Sequence, residues 1–148
     1  MGRTRFGRTR AGLVGAALVL ALAACGGTET NQLDGAVVLR SADAIAFGEQ
    51  DGQPVCAGDV NSGYADIIGG EDVVVRNGNG EELARTTLAM GEPSADESEC
   101  SFQWAIAELP EAPSYTVAVG GREPVPYTLD ELRQDNFEVV LVLEDPSS

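Results

Sequence analysis

Cys100-Ser101-Phe102-Gln103-Trp104-Ala105-Ile106-Ala107-Glu108-Leu109 is the stretch on which the fold turns. Cys100, Phe102, Trp104 and Ile106 alternate with Ser101, Gln103, Ala105 and Ala107, so a period of two sets the bulky apolar side chains on one face and small or mild ones on the other. Pro110 ends the run, because it brings no N–H to a sheet ladder. A strand with one apolar face has to be covered by a second layer.

The same pattern recurs in both directions. Downstream, Ser114 to Val119 places Tyr115, Val117 and Val119 on one side, and Gly120-Gly121 turns the chain. Phe137 to Leu143 closes the domain with Phe137, Val139, Leu141 and Leu143. Upstream, Asp72 to Arg76 and Glu82 to Leu88 flank Asn77-Gly78-Asn79-Gly80, a hairpin in which Asn-Gly supplies the positive φ of a primed turn. Gly35 to Arg40 and Ala42 to Phe47 are extended segments separated by Ser41, with Val37, Leu39, Ile45 and Phe47 as core. Thr128-Leu129-Asp130-Glu131 has capping-box order and predicts one or two helical turns over Leu129 to Gln134; Tyr64 to Ile68 reads as a single further turn. About seven short strands with one or two helical turns predict an all-β fold over residues 35–145. It is an antiparallel two-sheet sandwich, immunoglobulin-like or transthyretin-like.

Before that domain the composition changes. Arg3, Arg5, Arg8 and Arg10 precede Ala11 to Ala24, 14 residues without a charge, and the run ends at Leu22-Ala23-Ala24-Cys25. It is shorter than the roughly 20 residues that span a bilayer, and a basic flank before a short apolar core is signal-peptide order. The four residues at its end resemble a bacterial lipobox. That resemblance implies that residues 1–24 are removed and that Cys25 is diacylated on sulfur as the first residue of a lipid-anchored protein facing outward from the cytoplasmic membrane. Residues 25–34 form a small, polar, flexible acylated tether, and 146–148 a short C-terminal tail.

With the leader removed, five Arg remain against 24 Asp and Glu, a net charge of −19. Such a surface repels phosphates and excludes a duplex nucleic-acid partner. The chain has no His and no Lys, which removes histidine triads, histidine-ligated metals and lysine Schiff bases, and it calls for no cofactor. Once Cys25 is lipidated, Cys56 and Cys100 remain as an even pair on the oxidising side of the membrane, so a disulfide is expected.

The run of elements Cys56-Ala57-Gly58, Gly63-Tyr64-Ala65-Asp66-Ile67, Val73-Val74-Val75, Leu83-Ala84, Cys100-Ser101-Phe102, Tyr115-Thr116-Val117-Ala118-Val119 and Tyr127-Thr128 resembles a group of small secreted and lipid-anchored actinobacterial proteins that lack an established activity. The likeness covers about Cys56 to Leu143 and departs at Gly120-Gly121-Arg122-Glu123-Pro124, where the group has a Gly-Arg-Gly type turn.

Within this frame Tyr64 and Asp66 offer a ring and a carboxylate to a ligand; the competing reading is a structural corner in which Asp66 bonds nearby backbone and Tyr64 packs over the sheet. Glu92 to Glu99 is an acidic loop whose oxygens suit Ca²⁺, yet its spacing follows no metal loop, and a solvated loop is the better reading. Asn77-Gly78-Asn79-Gly80-Glu81 shares its oxygens with an EF-hand start, but Glu82 stands at the glycine position, so it reads as the hairpin turn and no metal site is assigned. The function expected is a tethered, non-enzymatic binding or interaction module, monomeric as a domain, whose partner is a protein or an envelope ligand. The alternatives are a carboxylate hydrolase acting on an envelope glycan and a passive structural envelope protein.

Overall fold

The computed structural model describes residues 29–144; the expected leader, Cys25 and the tail at 146–148 lie outside them. The chain forms an all-β sandwich. One sheet contains β1 (Thr30–Arg40), β6 (Glu92–Pro93), β7 (Glu99–Pro110) and β10 (Glu138–Glu144) in the order β10-β1-β7-β6. The other contains β4 (Asp72–Asn77), β5 (Glu82–Thr87), β8 (Ser114–Val119) and β9 (Val125–Thr128) in the order β5-β4-β8-β9. A separate hairpin of β2 (Ile45–Gln50) and β3 (Gln53–Gly58) joins the first sheet through an isolated bridge between Cys56 and Gly91. The one helix among the described residues is α1 (Leu129–Gln134).

β7 alternates as expected from Cys100 to Ile106, with Phe102 fully buried. The alternation then slips: Ala107 and Glu108 are both exposed and Leu109 is buried again. The cause is a bulge against β1, where Leu33 pairs with Ile106 and Asn31 already with Leu109. Val37 and Leu39 of β1, Val73 and Val75 of β4, and Tyr115 and Val117 of β8 complete the interior, each side chain contributing on the order of 1.5–3 kcal/mol by leaving water. The Tyr115 hydroxyl accepts from the Ala112 N–H at 2.7 Å and donates to the Pro110 carbonyl at 3.2 Å, tying down the chain just before its own strand. Burial raises the pKa of this phenol.

Several expectations need correction. The tether ends earlier than Asp34, because Thr30 to Asp34 belong to β1 and Leu33 is buried in the core. Ala42–Ala44 is a 3₁₀ turn and the strand starts at Ile45; Phe47 is 39% exposed, since β2 lies in the outlying hairpin and not in the sandwich. Among the described residues ten strands form where about seven were expected, and one pairing is parallel: β10 runs alongside β1, with Asp34 opposite Glu138 and Arg40 opposite Glu144. At the Asn77–Gly80 turn the positive φ falls on Gly80 (80°) and not on Gly78, with Gly80 N–H bonded to the Asn77 carbonyl. This is a turn closed by a glycine bulge, in place of a primed two-residue turn. The primed turn lies instead at Asp51 (φ 52°) and Gly52 (φ 78°), between β2 and β3. Phe137 (φ 57°) is left-handed and precedes β10 instead of opening it.

The capping box of α1 forms as expected: Thr128 accepts from the Glu131 N–H, and Glu131 accepts from the Thr128 N–H at 2.7 Å. Cys56 of β3 and Cys100 of β7 are disulfide-bonded with Cα atoms 5.9 Å apart, so the bond staples the hairpin to the first sheet.

Candidate functional site

The turn carrying Tyr64 and Asp66 is built on Gly58. The Gly58 N–H donates to the Ile67 carbonyl at 2.8 Å, and the Ile67 N–H donates to the Tyr64 carbonyl at 2.9 Å, closing a single turn. Backbone of Tyr64 lies so near Gly58 that a Cβ there would overlap its carbonyl.

Tyr64 and Asp66 are brought together by Arg122, which lies 56 residues further on, just after β8. Arg122 Nε donates to Asp66 Oδ2 at 2.9 Å, and Nη2 donates to Asp66 Oδ1 at 2.7 Å and to the Gly63 carbonyl at 2.7 Å. The guanidinium carbon sits 4.9 Å from the centre of the Tyr64 ring, within cation–π range. The Tyr64 hydroxyl donates to the Glu144 carbonyl at 2.6 Å. Three chain segments are thus fastened at one point: the 63–67 turn, the turn after β8 and the end of β10. The ring, carboxylate and guanidinium all have internal partners, but Asp66 is held by the Arg122 side chain and not by nearby backbone amides as the corner reading expected. Arg122 itself was not singled out from sequence as a partner; an Arg directly after Gly-Gly was its only local signal.

Beside this clamp the sandwich is open. β9 and β10 are the edge strands on the same side of the two sheets, and between them lies an apolar groove of about 290 Å³. The buried Val37, Val117 and Val119 form its base, and the partly exposed Val125, Val140 and Val142 its rim. Arg122 and Glu123 also line it, as does Tyr127, whose phenol is pushed up by burial and then by Asp135 and Glu131. The sequence marks none of these residues as a groove: Val37, Val117, Val119 and Val140 to Leu143 read as strand, Arg122 and Glu123 as a turn, and Val125 and Tyr127 fall outside the expected strands. The signal available was a closing strand whose outward positions Val140 and Val142 are apolar.

A second cavity, about 520 Å³, lies between the Asp51-Gly52 turn and β6 and includes Asp51, Val55, Met90 and Glu92. Both of its carboxylates are exposed, and Asp51 occupies a left-handed turn position. The acidic loop is closed on itself: Ser94 and Ser98 hydroxyls each donate to Asp96 Oδ1 at 2.8 Å, bonds that hold the Asp96 carboxyl below its ordinary range, Ser98 contributing most. Among the described residues no group of three or more Cys, Asp or Glu converges on a point that would hold a metal ion, and no helix is long and apolar enough to cross a membrane.

No family model, no curated protein and no solved structure matches the chain.

Proposed function

We propose that the protein is a lipid-tethered module on the outer side of the cytoplasmic membrane, and that it binds its partner in the groove between β9 and β10. The tether rests on the order of the leader: four Arg, 14 uncharged residues and Leu22-Ala23-Ala24-Cys25. The binding role rests on one observation, the apolar groove left open between two edge strands of an otherwise strongly acidic molecule. A monomeric sandwich gains by covering Val125, Val140 and Val142, and leaving three valines at one rim fits a surface kept for a partner. Kinship with the small actinobacterial lipoproteins belongs to the same proposal.

The contrasting reading, a carboxylate hydrolase, would draw on Asp51 and Glu92, the two acids that line the cavity beside β6. The two readings separate in intact cells. A photo-crosslinking amino acid at Val125 is expected to give discrete adducts, and the same probe at Ala95, beyond β6 at the far edge of the first sheet, none. Equal labelling at both positions, or none at Val125, would overturn the groove as a binding surface. Glycan-cleaving activity lost in Asp51→Asn or Glu92→Gln would favour the hydrolase.

A further inference from the structure

The two edges at the groove differ in what their backbones offer. β9 contains Pro126 and runs directly into α1, so little of its length can accept another strand. β6 at the far end of the first sheet has two residues, one of them Pro93, and β5 is an edge carrying the charged Glu82 and Arg85 beside a bulge. β10 has no Pro and no bulge, and its charges, Glu138 and Glu144, stand only at its two ends. Its sequence is Glu-Val-Val-Leu-Val-Leu-Glu, without Pro, Gly or Lys, and among the described residues it pairs with β1 alone.

Which backbone groups of β10 are free follows from three hydrogen bonds. The Phe137 carbonyl accepts from the Asp34 N–H of β1 at 3.0 Å. Successive residues of a strand direct their N–H and C=O to opposite edges, so Val139, Leu141 and Leu143 also face β1, while Glu138, Val140, Val142 and Glu144 face away. The outward set is confirmed at both ends, where the Glu138 N–H bonds the Asp135 carbonyl and the Glu144 carbonyl takes the Tyr64 hydroxyl. Those two contacts close the ends of the edge. Between them, among the described residues, both backbone groups of Val140 and of Val142 have no hydrogen-bond partner beside the groove.

We propose that this edge takes up an extended peptide segment of a partner protein as an added strand, its alternate apolar side chains entering the groove and its basic flanks meeting Glu138 and Glu144. This rests on the binding-module reading above and names the class of partner. The basic flanks follow from charge: Glu138 and Glu144 are exposed at the two ends of β10, Glu123 lines the groove, Arg122 is already paired with Asp66, and Arg40, held by Glu99 at 2.6 Å, reaches Glu144 only at 3.5 Å. The same charges argue against a second copy. Two antiparallel β10 strands would set Glu138 of each against Glu144 of the other, between molecules that both carry a large negative charge.

The test uses the full mature chain in detergent micelles and the synthetic peptide Arg-Arg-Val-Thr-Val-Thr-Val-Thr-Arg-Arg, with amide exchange read by NMR. At saturating peptide the Val140 and Val142 amides are expected to slow by at least about tenfold while β5 amides stay unchanged. Val142→Pro removes an N–H that faces away from β1, so β1 pairing is retained and peptide affinity is expected to fall at least about tenfold. If that variant loses its dispersed amide spectrum, Glu138→Arg with Glu144→Arg serves instead and is expected to weaken binding at least about tenfold through charge alone. Unchanged exchange at Val140 and Val142, or undiminished affinity in the informative variant, would overturn strand addition. So would protection of those amides that rises with protein concentration in the absence of peptide, the mark of self-association. Should strand addition fail while the Val125 crosslinks persist in cells, the groove remains a binding site of another kind; if the crosslinks are absent too, both readings fall.

Discussion

The Trp104 indole lies across Gly35 of β1, where a Cβ would collide with its Cζ2 and Cε2 atoms. Glycine weakens a strand in general, yet here it makes room for the largest side chain of the core. Gly35→Ala is expected to destabilise the domain by about 2 to 3 kcal/mol, the usual scale of core overpacking, and Trp104→Leu in the same chain is expected to recover part of the loss. Urea denaturation checks both; a neutral Gly35→Ala would show that the indole yields freely. The alternation of Cys100, Phe102, Trp104 and Ile106 was legible because each of those side chains is buried on one face of one strand. Gly35 was legible only as a strand start, since what it accommodates sits 69 positions away in sequence. Tyr64 and Asp66 were visible as an unusual cluster for the same local reason, and Arg122 was not, because a bidentate pair formed across two turns leaves no trace in spacing.

Among the elements, α1, the acidic loop and β5 carry the acid sensitivity, the last through Glu82, whose carboxyl the Arg85 bond holds below its ordinary range. Backbone and hydroxyl bonds from Thr128 hold the Glu131 carboxyl below its ordinary value of 4.5, and the Ser98 and Ser94 bonds do the same for Asp96 relative to 3.8. A depressed folded-state pKa gives stability that is complete above the unfolded value and is lost as pH falls through the folded one. Stability is therefore expected to hold down to about pH 5 and to decline below pH 4, with a shallower decline in Glu131→Gln, as read by urea midpoints across pH; an identical decline in that variant would contradict the assignment. The disulfide acts on a different element. Because Cys56 lies in β3, replacing Cys56 and Cys100 by Ser is expected to cost about 2 to 5 kcal/mol and to raise hydrogen exchange first in the β2–β3 hairpin, before β10. A uniform rise across both would contradict that local role. Asp51-Gly52 announces this hairpin as plainly as Asn77-Gly78 announces the other, but the exposed Gln-rich flanks around it hide the strands.

At the scale of the whole molecule, a lipid-bearing Cys25 would lie five residues before β1, the strand that pairs on one side with β7 and on the other with β10. Sandwich class follows from period-two patterning, whereas the parallel pairing of the first and last strands depends on how the chain ends meet. No local turn signal encodes it. Four of the five Arg from Arg40 onward pair with acids, among them Arg40 with Glu99 and Arg85 with Asp72, so most of the carboxylates remain uncompensated on the surface. That surface suits the proposed lipid-held module with a basic partner, and cleavage ahead of a lipid-bearing Cys25 is the step on which that proposal depends. Mass spectrometry of the protein extracted from cell membranes without reduction tests this most directly. The expected result is an N-terminus at a diacylated Cys25 together with the Cys56–Cys100 bond intact; a retained leader with unmodified Cys25, or a mature chain that starts elsewhere without lipid, would contradict it.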